Sequence, residues 1–199
     1  MKTTDVLIIG GSAAGMVAAL TGKSHWPKKE FILVKKQKDM MVPCGIPYIF
    51  GTLDSSDKNL MPVDASLQKN GIESLVDEAT EIDTAQKVVT FASGEKIGYQ
   101  KLVLATGSTP MKPKWLHGAE LKNVFVIPKD RQYIDEMKLK LGTAKNIAVI
   151  GAGFIGVELS DELTKHGYTV TLIEKMPHIL SLAFDPEIAE RIHDMLIGR

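Results

Sequence analysis

The sequence predicts an α/β fold in which two strand–turn–helix–strand units follow one another, with a small antiparallel β insertion in the first. The main observation is an internal repeat: a buried apolar strand runs into a glycine-rich turn and then a helix, once at the start and again over residues 146–174. Between the two units, residues 72–104 carry short apolar runs separated by a turn, a pattern typical of hairpins.

The second unit contains the complete glycine pattern. A short apolar run, 147–150, leads into Gly151-Ala152-Gly153-Phe154-Ile155-Gly156, which a helix over 157–166 and a strand over 168–173 follow. In a Rossmann-like dinucleotide-binding unit the first glycine permits the tight turn, the second lets the backbone approach a pyrophosphate, and the third lets the helix pack closely on the strand. The helix N-terminus then offers N–H groups to the phosphates. A purely structural βαβ turn is the alternative.

Glu174 ends the second strand of this unit. An acid at that place can accept hydrogen bonds from the hydroxyls of an adenosine ribose, and it repels a 2′-phosphate. The residue therefore favours NADH over NADPH.

The first unit repeats the pattern with two changes. A strand over 5–9 precedes the turn 10–15, and a helix over 14–23 and a strand over 31–34 follow. Ser12 replaces the middle glycine and keeps a small side chain with a donor. Lys35, followed by Lys36, stands where the acid is expected. A lysine cannot accept hydrogen bonds from ribose hydroxyls, so it either pairs with a phosphate or is solvated.

Composition limits the possible functions. The 199 residues are 44% hydrophobic, and 24 basic side chains balance 24 acidic ones, so the charge pattern of a general nucleic-acid binder is missing. We expect no signal peptide, no membrane-spanning run and no metal site. A single cysteine excludes an intrachain disulfide and favours a reducing, cytoplasmic setting.

Cys44 is the candidate for covalent chemistry. It lies in Pro43-Cys44-Gly45-Ile46-Pro47, which reads as a turn leading into a short helix, with Pro47 suited to the first helical turn. A helix N-terminus favours the thiolate, which is the form that attacks a disulfide, a persulfide or a peroxide. A buried structural cysteine is the alternative.

The remaining segments set the domain boundary. A Pro-rich connector at 112–118 separates a domain over residues 1–112 from one over 113–199. Further helices are predicted at 63–69, at 130–141 and from Asp185, and antiparallel strands over 72–104 with a turn at 92–95.

The order of these motifs resembles the flavin-dependent pyridine nucleotide–disulfide oxidoreductases. Cys44-Gly45-Ile46-Pro47-Tyr48 is similar to the single-cysteine branch, which contains coenzyme A disulfide reductases, NADH oxidases, NADH peroxidases and persulfide reductases. The segment 104–108, Leu-Ala-Thr-Gly-Ser, matches the family's stretch beside the flavin. The resemblance implies an N-terminal part of an FAD-binding domain over 1–112 and an incomplete NAD(H)-binding domain over 113–199.

The resemblance also implies the ligands and their residues. FAD is expected at the first turn and NADH, rather than NADPH, at the second, with Glu158 close to the nicotinamide and flavin. The implied FAD contacts are Gly10, Gly11, Ser12, Ala14, Gly15, Lys35, Pro43, Ala79, Ala105, Thr106 and Gly107. The implied NADH contacts are Gly151, Gly153, Phe154, Ile155, Gly156, Glu158 and Glu174.

The implied activity is transfer of electrons from NADH through FAD and Cys44 to a disulfide, persulfide or polysulfide. An NADH oxidase or peroxidase that uses a Cys44 sulfenic acid is an alternative, and so is a non-catalytic nucleotide-binding fragment. Lysines 28, 29, 35, 36 and 38 suit a phosphate-rich thiol such as coenzyme A, or form a solvated face. Complete members are longer and add a later flavin motif and a dimerisation domain, so a homodimer is expected only for a longer parent chain.

Overall fold

A computed structural model describes residues 1–197, which form two compact units. The first comprises Met1–Pro43 and Leu60–Trp115, and the second comprises Cys44–Asn59 and the chain from Leu116 onward. Both units are of the predicted α/β type, and that fold class is confirmed. The assignment of nucleotide domains to 1–112 and 113–199 stays a prediction.

The first unit is built on one mixed sheet. The strands of this unit are β1 Lys2–Ile9, β2 Phe31–Lys35, β3 Met40–Met41, β4 Leu60–Met61, β5 Glu73–Val76, β6 Ala79–Asp83, β7 Val88–Phe91 and β8 Lys96–Leu104. Its helices are α1 Ala13–His25 and α2 Val63–Lys69. Six of the strands form one sheet in the order β5-β2-β1-β8-β7-β6, and β3 pairs with β4 apart from it.

The sheet changes from parallel to antiparallel at β8. Strands β5, β2, β1 and β8 are parallel, whereas β8, β7 and β6 pair antiparallel as the predicted insertion. The expectation that all strands over 72–104 are antiparallel is therefore wrong for β5. Helix α2 lies between β4 and β5 in the chain, and a helical crossover returns the chain for parallel pairing.

The continuous apolar runs of β1 and β2 are explained by burial on both faces of the sheet. Successive side chains of a strand point to opposite faces, so a run such as Leu7-Ile8-Ile9 supplies both. One face packs Leu7, Ile9, Ile32 and Val34 with Val89, Phe91 and Ile97. The other packs Ile8, Phe31 and Leu33 with Ala19 of α1 and Val63, Leu67 and Ile72.

The second unit holds two parallel strands with a helix between them in the chain. Its elements are α3 Arg131–Leu141, β9 Asn146–Ile150, α4 Phe154–Lys165, β10 Thr169–Ile173 and α5 Pro186–Ile197. Helix α4 begins three residues before the predicted start, because the last residues of the glycine-rich turn already form its first turn. Within residues 1–197 no helix is long and apolar enough to cross a membrane.

Candidate nucleotide and thiol sites

The second glycine-rich turn joins β9 to α4. Gly151 adopts φ +99°, and its N–H donates to the carbonyl of Ile173 at 2.8 Å. A Cβ on Gly156 would lie 1.8 Å from the Gly151 carbonyl oxygen, so only glycine lets the helix pack this closely. A Cβ on Gly153 would meet nothing within 4 Å. The turn is thus tight on its strand side and open at Gly153, where a pyrophosphate is expected to approach.

Glu174 is fixed on this turn by backbone donors. Its carboxylate accepts the N–H of Ala152 at 2.7 Å and those of Lys175 and Met176 at 2.7 and 2.8 Å. The bond from Met176, then that from Ala152, holds the pKa of the Glu174 carboxyl below its usual value. The carbonyl of Ala152 accepts the N–H of Leu180 at 2.8 Å, which anchors the turn from its other side.

The first glycine-rich turn has the same geometry. Gly10 adopts φ +117° and donates its N–H to Val34 at 2.8 Å, and a Cβ on Gly15 would lie 1.8 Å from the Gly10 carbonyl oxygen. Ser12 precedes α1 with φ −85° and ψ −167°, close to the −75° and −175° of Gly153 before α4. Its hydroxyl makes no capping hydrogen bond. Serine therefore adopts the backbone conformation that the middle glycine has in the second turn.

The strand registers identify equivalent residues in the two units. Ile9 pairs with Val34 at the end of β1 and β2, and the next residue is Lys35. Ile150 pairs with Ile173 at the end of β9 and β10, and the next residue is Glu174. Lys35 therefore occupies the place in the first unit that Glu174 has in the second.

Lys35 is buried, so the alternative that it is solvated is wrong. Its side chain is 1% exposed, and its Nζ donates to Asp64 Oδ2 at 2.9 Å and to the carbonyl of Lys38 at 2.5 Å. Asp64 also accepts the Ser74 hydroxyl at 2.7 Å. The hydrogen bond from Lys35, followed by that from Ser74, holds the pKa of the Asp64 carboxyl below its usual value. The Lys35 ammonium is thus committed to protein partners.

The segment after β8 lies beside the first turn. Ala105 donates its N–H to Ile9 at 2.8 Å, and a Cβ on Gly10 would come within 2.1 Å of the Ala105 carbonyl oxygen. Thr106 and Gly107 follow in exposed positions, and Gly107 adopts φ +74°. This contact brings together two groups of residues for which the family resemblance implies one cofactor, FAD.

Other predicted residues occupy varied positions. Ala14 is exposed on the first turn of α1. Gly11 packs on Lys35, since a Cβ on Gly11 would lie 2.8 Å from the Cβ of Lys35. Ala79 begins β6 beside a register shift. Phe154 and Ile155 are exposed on the first turn of α4, Glu158 is half-buried on the same helix, and Pro43 is half-buried.

Cys44 is exposed, so the alternative of a buried structural cysteine is wrong. It lies within a short 3-10 helix, Pro43–Gly45, and not at the start of the next one, Pro47–Phe50, which Ile46 precedes. The short helix predicted after the cysteine is the 3-10 helix Pro47–Phe50, with Pro47 in its first turn, whereas the cysteine itself lies in a separate 3-10 turn. A Cβ on Gly45 would lie 2.0 Å from Asn59 Oδ1, so a side chain next to the thiol would clash.

Three of the five lysines in the predicted cationic cluster have acidic partners. Lys29 binds Asp5 at 2.7 Å and Lys36 binds Glu78 at 2.7 Å. Together with the Lys35–Asp64 pair, these contacts reduce the net positive charge of the lysine-rich stretch. Surface pairs of this kind contribute little to stability.

The residues of both turns fit a dinucleotide. Each turn combines the positive-φ glycine, the close helix and the first-turn N–H groups that a helix cannot satisfy itself. The second turn adds Glu174 for a ribose, whereas the first offers Lys35 at that place. The acid expected to accept hydrogen bonds from a ribose is thus present after the second turn's strand and absent at the equivalent position of the first unit.

Sequence reasoning missed two acids. Asp64, the partner of Lys35, has no signal in the sequence because the pair is 29 positions apart. Glu162 is 1% exposed on α4 and accepts the N–H of Thr52. Helical spacing could have indicated it, since Glu162 follows Leu159 by three positions on the buried side of the helix.

The pyridine nucleotide–disulphide oxidoreductase family model matches residues 4–199. The chain belongs to this family. Its members use FAD and NAD(P)H.

Individual relatives are similar to nearly the whole of this chain. The NAD(P)H coenzyme A polysulfide/persulfide reductase of Pyrococcus horikoshii is 34% identical over 96% of this chain and 44% of that relative. The structure of an NAD-dependent persulfide reductase from A. fulgidus aligns with TM-score 0.85 and 29% identity, over 98% of this chain and 38% of that one. The water-forming NADH oxidase from Lactobacillus brevis, bound to NADH, aligns with TM-score 0.84 and 27% identity, over 98% of this chain and 45% of that one. The chain therefore spans less than half the length of these relatives.

Proposed function

We propose that this chain is the nucleotide-binding part of an FAD-dependent NADH oxidoreductase that reduces a disulfide, persulfide or polysulfide through Cys44. The observation that carries the proposal is the pair of glycine-rich turns with matching strand registers in a chain that also presents an exposed cysteine. FAD is assigned to the first turn and NADH to the second. The similarity to a coenzyme A polysulfide/persulfide reductase supports the acceptor class.

NADH is preferred over NADPH because of Glu174. Its carboxylate carries a negative charge, and an acid at this position bonds ribose hydroxyls and repels a 2′-phosphate. The three backbone N–H groups that bind it keep it charged and in place. Glu174 thus orients the adenosine end of the nucleotide, while the first turn of α4 binds the pyrophosphate through its N–H groups.

Cys44 performs the sulfur chemistry. Its thiolate attacks one sulfur of the acceptor, the acceptor's S–S bond breaks, a mixed disulfide with Cys44 forms, and the second thiol leaves as a thiolate that takes a proton from solvent. The two electrons that restore the Cys44 thiolate and release the first thiol come from NADH by way of FAD, which is the chemistry the cofactors supply when bound. An exposed position gives the acceptor access.

The acceptor, the partner subunit and the compartment are part of the proposal. Coenzyme A disulfide or persulfide is the favoured acceptor, a homodimer is assigned to a longer parent chain, and a reducing cytoplasm suits the single free thiol. An oxidase or peroxidase that cycles Cys44 through a sulfenic acid is the second candidate, supported by the likeness to the NADH oxidase.

The test is the visible absorption spectrum of the purified chain before and after anaerobic NADH. We expect an oxidised flavin spectrum that bleaches on addition of NADH. Absence of flavin after reconstitution would overturn catalysis by this chain and leave a nucleotide-binding fragment. Lys35 favours that outcome, because it stands where an acid that binds the FAD ribose is expected. Turnover with coenzyme A disulfide, compared with oxygen and peroxide, then separates the two acceptor classes.

A further inference from the structure

Glu162 is a buried acid that the proposed chemistry does not use. It lies on α4, the helix that begins at the second glycine-rich turn, and its side chain is almost fully buried next to Leu163. A buried carboxylate is costly to retain unless hydrogen bonds and an opposite charge offset its loss of hydration. Its partners therefore indicate what it does.

The two carboxylate oxygens of Glu162 have different partners. Oε2 accepts the backbone N–H of Thr52 at 2.6 Å, and Oε1 accepts Lys165 Nζ at 2.7 Å. Burial acts most strongly and raises the pKa of Glu162, but the hydrogen bonds from Lys165 and Thr52 together outweigh it and hold the pKa below its usual value. Glu162 is therefore a charged acceptor for a backbone donor from a distant segment.

That donor belongs to the segment that carries the thiol. Thr52 and Cys44 lie in the stretch Cys44–Asn59, which packs within the same compact unit as α4. A Cβ on Gly51 would lie 2.5 Å from the Glu162 carbonyl oxygen and 2.6 Å from its Oε2. The backbone at Gly51 and Thr52 thus rests directly on α4, at the end of the 3-10 helix Pro47–Phe50.

Further along, the segment is tied to α3 by partly exposed contacts. Lys138 binds Asp54, Arg131 binds Asp57, and the Ser56 hydroxyl donates to Asp135 at 3.1 Å. These ion pairs are between partly exposed side chains and contribute modestly. Among these contacts, the one to Glu162 involves a buried side chain and lies nearest to Cys44 along the chain.

We infer that Glu162 is a positioning residue for Cys44: it fixes the backbone that follows the thiol onto the helix that starts at the second nucleotide turn. The role in catalysis rests on the proposed function, because it matters to turnover only if Cys44 is the reacting thiol. The hydrogen bond itself can be tested without turnover. The contact thereby joins the thiol segment to the helix that follows the second glycine-rich turn.

Amide hydrogen exchange of the whole chain tests the contact. In the unmodified protein the Thr52 N–H should be protected although Thr52 is exposed, and fast exchange there would overturn the inference. Glu162→Met keeps the volume and removes the acceptor, so exchange at Thr52 should accelerate by roughly tenfold or more, as loss of a charged hydrogen bond predicts. Exchange at Thr52 in the unmodified protein needs no variant, so it tests the hydrogen bond to Glu162 even if Glu162→Met does not fold.

Two further variants separate positioning from general stability. Glu162→Gln retains an oxygen that can accept the Thr52 N–H, so it should restore most of the protection. Asp161→Asn removes a neighbouring acid that binds the same Lys165 at 2.8 Å, and it should leave Thr52 unchanged. Equal acceleration in Asp161→Asn and Glu162→Met would show a general loosening of the helix and overturn the inference.

The functional readout is the alkylation rate of Cys44 by iodoacetamide, followed by acceptor turnover. Glu162→Met should change the alkylation rate several-fold and lower kcat with little change in the KM for NADH, and Glu162→Gln should rescue both. An alkylation rate equal to that of the unmodified chain would overturn positioning of the thiol. If instead Cys44→Ser retains disulfide turnover, the proposed function fails while the exchange and alkylation results still stand.

Discussion

The carboxylate of Glu174 accepts the backbone N–H of Ala152 at 2.7 Å, so the acid that ends β10 is fixed on the turn that follows β9. This bond presents a fixed negative charge beside the expected pyrophosphate position. The equivalent residue in the first unit, Lys35, is turned to Asp64 instead. The two turns share a backbone conformation but differ in the residue at this position, an acid in one and a lysine in the other.

Glu174→Ala should weaken NADH binding much more than NADPH binding. For NADH, the variant loses a charge-assisted contact to the ribose hydroxyls, which corresponds to about a tenfold loss in affinity. For NADPH, the variant also loses the repulsion between the carboxylate and the 2′-phosphate, which offsets that loss. Fluorescence titration with each nucleotide gives the two dissociation constants. Glu174→Gln is the matched control, since its amide oxygen can still accept the Ala152 N–H. Equal losses of affinity for NADH and NADPH would contradict the proposed contact between Glu174 and the ribose.

Gly153→Ala and Gly156→Ala should separate binding from folding at one turn. A methyl at Gly153 meets no atom within 4 Å and its φ of −75° suits alanine, so stability should change by less than about 1 kcal/mol while NADH binding falls. A methyl at Gly156 lies 1.8 Å from the Gly151 oxygen and should cost roughly 2 kcal/mol or more. Urea unfolding and nucleotide titration on both variants measure this. Unchanged NADH affinity in Gly153→Ala would exclude the open face as the phosphate site.

Lys35→Met should destabilise the first unit, and Lys36→Met should not. Lys35 is 1% exposed and its loss leaves Asp64 without its cation, for an expected cost of about 2 kcal/mol after allowance for the exposure of Asp64. The neighbouring Lys36–Glu78 pair has side chains that are 67% and 51% exposed, so breaking it should cost under about 1 kcal/mol. Urea midpoints of the two variants provide the comparison. Similar losses would mean that the Lys35–Asp64 pair has no special role.

The contribution of Asp64 to stability should disappear in acid. Its pKa in the folded protein lies below the ordinary 3.8, chiefly because Lys35 donates to it. The unfolded chain therefore binds the proton more readily, so the stabilisation is full above pH about 4 and is lost as the pH falls through the folded value. The difference in unfolding free energy between the unmodified chain and Asp64→Asn should shrink over that range. A difference that stays constant down to pH 2 would contradict the assignment.

The parts of the fold that depend on local patterns were predictable from the sequence. The glycine spacing identified both turns, and the unbroken run Leu7-Ile8-Ile9 indicated a strand buried on both faces. The decisive polar pairs were not predictable, because they join residues far apart in the chain: 29 positions for Lys35 and Asp64, and 110 for Thr52 and Glu162. Periodicity shows which face of an element is buried, but it does not show which distant group comes to lie against that face.

Cys44→Ser in a chain that binds FAD should abolish reduction of disulfide or persulfide and retain reduction of the flavin by NADH. Serine keeps the size and exposure of the side chain but cannot form the mixed disulfide. Anaerobic stopped-flow absorbance follows the flavin, and release of free thiol follows the acceptor. Thr52→Ser, which retains the backbone N–H that Glu162 accepts, serves as the control and should behave as the unmodified chain. Disulfide turnover that persists in Cys44→Ser would remove this cysteine from the reaction and leave the flavin as the direct donor to the acceptor.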